Sequence, residues 1–271
     1  MSPKEQLEER SSRRSILGVN VAVSSYDETV QNCLRWGQER QSRALFFANV
    51  HVIMEAFDDP AFRQRLNKAD MVNPDGMPLV WALRALGEAD AERVYGPDAT
   101  VAVLAAAEKA GLSVGFYGGS QIALDSLINA ARLWYPNLRI VFSESPPFRD
   151  LTPEEDIAVV DRIASSELEL LFVGLGCPKQ EVWITDHLGK VPAVMLGVGA
   201  AFDFLAGTQP QAPRWMMRNG LEWVFRLACE PQRLASRYFK HNPRFIGLIL
   251  MQLVAGSSKY VPQAAPERQR T

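Results

Sequence analysis

The stretch Ala69-Asp70-Met71-Val72-Asn73-Pro74-Asp75-Gly76-Met77-Pro78 carries residue types suited to acid–base chemistry. It reads as a short strand edge, a tight turn and a helix beginning near Met77. In open α/β sheets ligands sit beyond the carboxyl ends of strands, so Asp75 would point into a site. A carboxylate held there could take the proton from an attacking hydroxyl. Asn-Pro-Asp-Gly is also a run of strong turn formers, and spacing alone takes the assignment no further.

Two glycine turns suit an anion. Gly174-Leu175-Gly176 and Gly197-Val198-Gly199 follow short apolar runs, and backbone N–H groups at such turns can hold phosphate at a helix N-terminus. Neither has the third glycine of a dinucleotide fingerprint, since Lys179 and Phe202 stand there. Neither is followed at the expected distance by an acidic residue at a strand end, so a nicotinamide dehydrogenase is disfavoured. Tight strand-to-helix turns need glycine in any case. A third turn, Tyr117-Gly118-Gly119-Ser120, has the same ambiguity.

The third candidate feature is cationic. Arg226, Arg233, Arg237, Lys240 and Arg244 are spaced to return to one side of a helix of about 3.6 residues per turn, provided Pro243 does not bend it far. Apolar residues such as Tyr238, Phe239, Phe245, Ile246 and Ile249 lie among them. Such a helix suits an anionic membrane surface or a diphosphate lipid, or simply docks its apolar side on the core.

The elements that must position these groups follow from periodicity. Ala44–Phe47, Ser113–Tyr117, Arg139–Phe142, Leu168–Val173 and Ala193–Val198 are apolar runs of strand length. Tyr26–Arg40, Ala99–Ala110, Gln121–Trp134 and Glu154–Ser165 space apolar residues as helices do. The alternation predicts an α/β core, a mostly parallel sheet with helices on both faces. Beyond Thr208 no strand is expected, and 213–260 reads as helices broken by Gly220, Pro231 and Pro243. The expected organisation is a polar tail (1–15), a core (16–207), a basic helical C-terminal appendage (208–258) and a second tail (259–271). The strand and helix pattern is complete by Ala206, which predicts that the core folds without the appendage.

Composition narrows the function. The 271 residues are 47% hydrophobic with a formal net charge of −2 and a pI near 6.0, which argues against nucleic acid as a partner. The appendage is strongly basic and the rest acidic, so any basic site is local. Cys33, Cys177 and Cys229 form no CxxC pair, and His51, His187 and His241 are scattered, so neither a disulfide framework nor a metal centre is expected. Residues 1–14 lack the apolar stretch of an export signal, and Phe245–Ala255 is about half the ~20 residues a spanning helix requires.

Taken together, these residues resemble the WecG/TagA/CpsF family of bacterial glycosyltransferases, glycosyltransferase family 26. The likeness runs from about Ile16 to about Phe245. It rests on Asn49, Ala69-Asp70 with Pro74-Asp75-Gly76, Arg93-Val94 with Gly96 and Asp98, and Gly118-Gly119. It continues through Gly176 with Pro178-Lys179-Gln180-Glu181, Gly197-Val198-Gly199 with Phe202-Asp203, Ala212-Pro213, and Gly220-Leu221-Glu222-Trp223 with Arg226, Pro231 and Arg233. The departures are Phe47, Gln211 and Pro146-Pro147-Phe148, where family members often carry Thr, Arg and Gly-Tyr-Phe.

The resemblance implies a Rossmann-like core and transfer with inversion from a UDP-sugar to a polyprenyl-diphosphate-linked acceptor, as in exopolysaccharide synthesis. It implies no cofactor, no required metal, and a peripheral position on the anionic inner face of the cytoplasmic membrane. Asp75 is implied as general base; Asn49, Arg93 and Gln180 as sugar-site residues; Asp203 with Gly197 and Gly199 as part of the nucleotide site. Gly118 and Gly119 belong to the substrate-binding set, and Arg226, Arg233 and Arg237 to the diphosphate. The donor sugar stays open between N-acetylmannosamine and glucose, and self-association into a homo-oligomer is left open. A non-catalytic, membrane-docked nucleotide-sugar-binding module and an NAD-dependent nucleotide-sugar oxidoreductase are the rival readings.

Overall fold

The computed structural model describes residues 12–199 and 201–255. The expected tail at 259–271 and most of the one at 1–15 therefore lie outside the described residues. Six strands, β3 (Arg43–Ala48), β4 (Met71–Pro74), β5 (Ser113–Gly118), β6 (Arg139–Glu144), β7 (Leu170–Gly174) and β8 (Val194–Gly197), form a wholly parallel sheet in the order β4-β3-β8-β7-β5-β6. The four inner strands are buried on both faces, hence their continuous apolar sequence. The edge strand β6 alternates exposed and half-buried residues, as one-sided packing requires.

Successive side chains divide between two apolar layers. Phe46, Leu171, Val173 and Met195 meet α2 (Val50–Asp58), α3 (Pro60–Leu66), α4 (Met77–Ala85), α7 (Pro153–Ser165) and α8 (Lys179–Asp186). Leu45, Leu170, Phe172 and Leu196 meet α1 (Tyr26–Gln38), α5 (Gly96–Ala110), α6 (Gln121–Trp134) and α9 (Ala201–Leu205) on the other face. The chain thus leaves the carboxyl end of β3 for one face and that of the adjacent β8 for the other. A crevice must open between the two loops, as at the switch point of any doubly wound sheet.

The chain begins with an antiparallel hairpin, β1 (Arg13–Ile16) and β2 (Val19–Ala22). Its first strand starts inside the stretch expected as tail, because Arg-Arg-Ser-Ile has no apolar alternation to announce it. The hairpin turns on Leu17 and Gly18, both at positive φ (48° and 89°), as a two-residue primed turn needs.

Beyond the core come α10 (Arg214–Arg218), α11 (Glu222–Cys229) and α12 (Pro231–Ala255). The break expected at Pro243 does not occur: α12 runs through it. A proline there loses the hydrogen bond to the carbonyl four residues back and crowds that carbonyl with its ring, while Phe245 and Ile249, both buried in the layer with α2 and β1, hold the following turns in place.

Gln252 ties the two ends of the fold together. Its Oε1 accepts from Leu17 N at 2.9 Å and its Nε2 donates to Ser15 O at 2.6 Å, with the side chain 1% exposed. Gln252→Ala is expected to leave two buried backbone groups unpaired and cost about 1–3 kcal/mol. Thermal unfolding should show the midpoint lowered by several degrees; an unchanged midpoint would mean that the bridge contributes nothing.

Candidate active site

Asp75 follows β4, and its N–H donates to Ala48 O of β3 at 2.8 Å, so the residue leaves the sheet beside the crevice. Below it Asn73, fully buried, accepts from Ser24 Oγ at 2.6 Å and donates to Thr29. Gly76 caps α4, which carries a proline in its first turn. Asp75 Oδ1 accepts from Gly96 N at 3.2 Å. Arg93 donates through Nε to the Asp75 carbonyl and places Nη2 3.7 Å from its carboxylate. The same Nη2 lies 2.5 Å from Glu222 Oε2, and the guanidinium stacks over Tyr95 at 4.3 Å. Arg93 is therefore a clamp that fixes Asp75 from α5's approach and Glu222 from α11.

Burial pushes the Asp75 carboxyl up to about 6; Arg93 opposes the rise and Glu222 adds to it. Such a group is a base near neutral pH that still releases its proton readily. Glu222→Gln removes one neighbouring negative charge, so Asp75 should ionise at lower pH and the acid limb of a pH–rate profile should move down. A limb that stays in place or moves up would show that Glu222 acts only by holding Arg93.

Asp75 stands where two spaces meet. The outer cleft, about 470 Å³, lies over the crevice and is walled by the two glycine turns, Gln180, Asp203, Arg233 and Tyr95. The inner chamber, about 110 Å³, lies between α4 and the appendage and is walled by Met77, Pro78, Trp223, Tyr238 and Glu222. Asn49, His51, Asp75, Arg226 and Arg237 line both.

Most expected site residues converge here. Asn49 uses its amide oxygen to cap α2, accepting from His51 N (3.0 Å) and Val52 N (3.3 Å), so its NH2 is the part with donors left to offer. Gln180, 5% exposed, donates to Glu181 Oε1 at 2.9 Å while its own Oε1 has no partner. Gly199 (φ 51°) brings the backbone against that amide: a Cβ there would lie 3.4 Å from Gln180 Oε1. At Gly197 a Cβ would come within 2.8 Å of Phe46. Asp203 is half-buried on α9, its carboxyl raised by burial and lowered by Arg233.

Gly118 and Gly119 do not line the cleft. A Cβ at Gly118 would sit 2.6 Å from the Gly174 backbone, and Gly119 N donates to Gly174 O at 3.0 Å. Close packing of β5 on β7 accounts for this pair, which therefore supports the glycine turn from behind.

The expected single basic face is divided. Arg226 belongs to α11, with its guanidinium 5.5 Å over Phe204. On α12, Arg237 is half-buried, its pKa lowered by burial and by Arg233, and Arg233 pairs with Glu230 at 2.5 Å. These three face the cleft. Lys240 and Arg244 turn to Asp58 of α2, at 3.9 and 2.6 Å, and clip α12 to the core. The helix break at Glu230 sets Arg226 apart on α11, and along the 25-residue α12 the basic residues divide by position, the first two at the cleft and the next two at Asp58.

Three features had no role assigned from the sequence. Glu222 was visible only as part of a motif; its contact with Arg93 is 129 residues distant. Glu181 is buried, with Oε2 unpartnered and its carboxyl pushed up to about 7 by burial. His51 and Glu55, one turn apart on α2, and His241 of α12 bring donor atoms within 4.8 Å of one another, a spacing a metal ion could use. Burial first, and then Arg237, His241 and Lys240, lower His51 to about 3. The same cationic surroundings oppose a second cation there.

Residues 14–259 match the glycosyl transferase WecG/TagA/CpsF family. Among curated relatives, an N-acetylglucosaminyldiphosphoundecaprenol N-acetyl-beta-D-mannosaminyltransferase of Bacillus spizizenii is 29% identical over 204 residues, covering 75% of this chain and 77% of that protein. A protein of the same name from Bacillus subtilis is 29% identical over 186 residues, 68% of this chain and 71% of its own length. A match over nearly the whole length, on a parallel sheet whose switch point carries the expected residues, leaves one conclusion: the chain belongs to the WecG/TagA/CpsF family of glycosyltransferases.

Proposed function

We propose that this chain transfers a sugar, with inversion and without a metal, from a UDP-sugar to an N-acetylglucosamine carried on polyprenyl diphosphate. The observation that supports this most is the position of Asp75 between an outer cleft of glycine turns and arginines and an inner chamber where Met77, Pro78, Trp223 and Tyr238 stand beside Arg93, Glu222 and the shared Arg226 and Arg237. The donor occupies the outer cleft and the acceptor sugar enters from the chamber. Asp75 takes the acceptor hydroxyl proton as that oxygen attacks the anomeric carbon from the face opposite UDP. The glycosidic bond forms, the bond to the diphosphate breaks, and UDP leaves with the electron pair. Arg226, Arg233 and Arg237, with N–H groups of the glycine turns, meet the charge gained by the diphosphate. The Gln180 Oε1 and the Asn49 NH2 are left to bind sugar hydroxyls, Arg93 holds the base, and Asp203 belongs to the nucleotide side.

The relatives' names favour N-acetylmannosamine over glucose as the sugar moved. Among the described residues no helix is long and apolar enough to cross a membrane. The exposed Phe239, Ile246, Leu250 and Val254 of α12, next to its basic residues, support peripheral attachment to the anionic inner face of the cytoplasmic membrane.

A donor screen tests the reading: UDP release should require both a lipid-diphosphate acceptor bearing N-acetylglucosamine and UDP-N-acetylmannosamine. Turnover with UDP-glucose alone would reassign the donor. Binding of UDP-sugars with no release under any pairing would replace the enzyme with a binding module.

A further inference from the structure

We propose that the apolar groove between α4 and α12 receives the first isoprene units of the acceptor's lipid tail. This rests on the polyprenyl-diphosphate acceptor proposed above, and it assigns a place to a part of that substrate for which the transfer chemistry has no use.

The groove, about 330 Å³, is walled by Trp81 and Ala85 of α4 and by Phe245, Ile246, Ile249 and Leu250 of α12, and no charged side chain lines it. It continues the inner chamber, since Val50, Pro78, Gly220, Trp223 and Asn242 belong to both. Gly220 forms the narrow point between them. At φ 69° it lets the α10–α11 turn lie on α4, where a Cβ would stand 2.5 Å from the Trp81 ring.

An acceptor whose sugar reaches Asp75 and whose diphosphate reaches Arg226 and Arg237 must send its tail away from charge. The outer cleft is polar and holds the arginines, while the groove leads from the chamber to the surface between apolar walls. At that end Trp81, Ile246 and Leu250 are 48%, 59% and 58% exposed, a contiguous apolar mouth of the kind that marks a lipid or partner contact. Basic residues on the same helix suit the anionic surface from which such a tail would emerge.

The test uses Ala85→Phe, which fills the groove from an exposed position without touching the chamber, and Trp81→Ser, which removes a wall. Two acceptors share the sugar diphosphate and differ in tail: a short alkyl chain and a long isoprenoid. In detergent solution the wild-type protein should favour the isoprenoid acceptor in KM. Either variant should shrink that preference about tenfold or more, with kcat little changed. Farnesyl diphosphate titrated without donor, followed by tryptophan fluorescence, reads the groove with no turnover at all: wild-type protein should bind it, and Ala85→Phe about tenfold more weakly. If farnesyl diphosphate binds as predicted but no donor supports transfer, the groove stands and the proposed reaction falls. Equal KM values for the two acceptors in the wild type, or unaltered farnesyl diphosphate affinity in both variants, would overturn the groove. So would a change in sedimentation mass of Ala85→Phe at unaltered affinity, which would make the face a contact between copies of the chain.

Discussion

Asp75→Asn is expected to lower kcat by roughly 10²–10⁴-fold, the contribution of a positioned general base, while the protein stays folded. The amide keeps the shape and can still accept from Gly96 N. It cannot take the acceptor proton. For the wild type, kcat should fall as pH drops below about 6, where burial places the carboxyl, and this limb should vanish in the residual activity of the variant. Stability moves the other way. A carboxyl whose pKa is higher folded than unfolded binds more protons in the folded state, so its contribution is full below about 4 and is lost as pH rises through about 6. Asn has no such loss, so above pH 6 the variant should melt no lower than wild type. UDP release and thermal unfolding across this range are the measurements. More than about a tenth of wild-type turnover would remove Asp75 from the role of base.

The second large effect is expected from reversing Arg233 and Arg237 to Glu. Both face the outer cleft, Arg237 half-buried and Arg233 beside Asp203 and Glu230. Reversal sets two more negative charges against a diphosphate and replaces charge-assisted hydrogen bonds by repulsion, typically worth 2–5 kcal/mol or more for a desolvated pair. With a short-tailed, detergent-soluble acceptor, kcat/KM should fall about 10²-fold or more. Membrane attachment predicts otherwise: about 1 kcal/mol per basic residue, weakened by salt and absent in detergent. Solvated surface arginines would be worth about 0–1 kcal/mol. Near-normal turnover in detergent would therefore reduce both residues to anchors.

The parallel core was legible because its inner strands are short, apolar and spaced by helical periods; even β4, an edge, was marked by the turn that follows it. Helices α2 and α3 were less so, since Val50–Leu66 packs apolar residues closely and breaks at Asp59-Pro60. The hairpin at Arg13–Ala22 was hidden by its charge. At the site, Asp75 and the two glycine turns could be read from strand ends and turns, whereas Asn49 and Gln180 came only through the family likeness; all of them converge. What periodicity could not supply was the third dimension of the appendage. Spacing put five basic residues on one line, but Arg226 lies on α11, and along α12 Arg233 and Arg237 reach the cleft while Lys240 and Arg244, further on, reach Asp58. Glu222 was invisible as a tuning group because nothing local relates it to Arg93. Gly118 and Gly119 show that close approach of the β5 turn to Gly174 asks for glycine there by itself.

The bridge from Gln252 to Leu17 also sets an order of events during synthesis. Its partners are 235 residues apart. At about 5–20 residues per second, a ribosome takes on the order of ten seconds or more to make the second after the first. Throughout that interval the hairpin exists without the helix that seals it, and Ile16 and Leu17, fully buried in the finished fold, face solvent on the nascent chain. A hairpin made early is thus closed late. Quality control of this enzyme is concentrated at one late moment, the arrival of α12, and chains that terminate before it present to chaperones the apolar surface the helix would have covered.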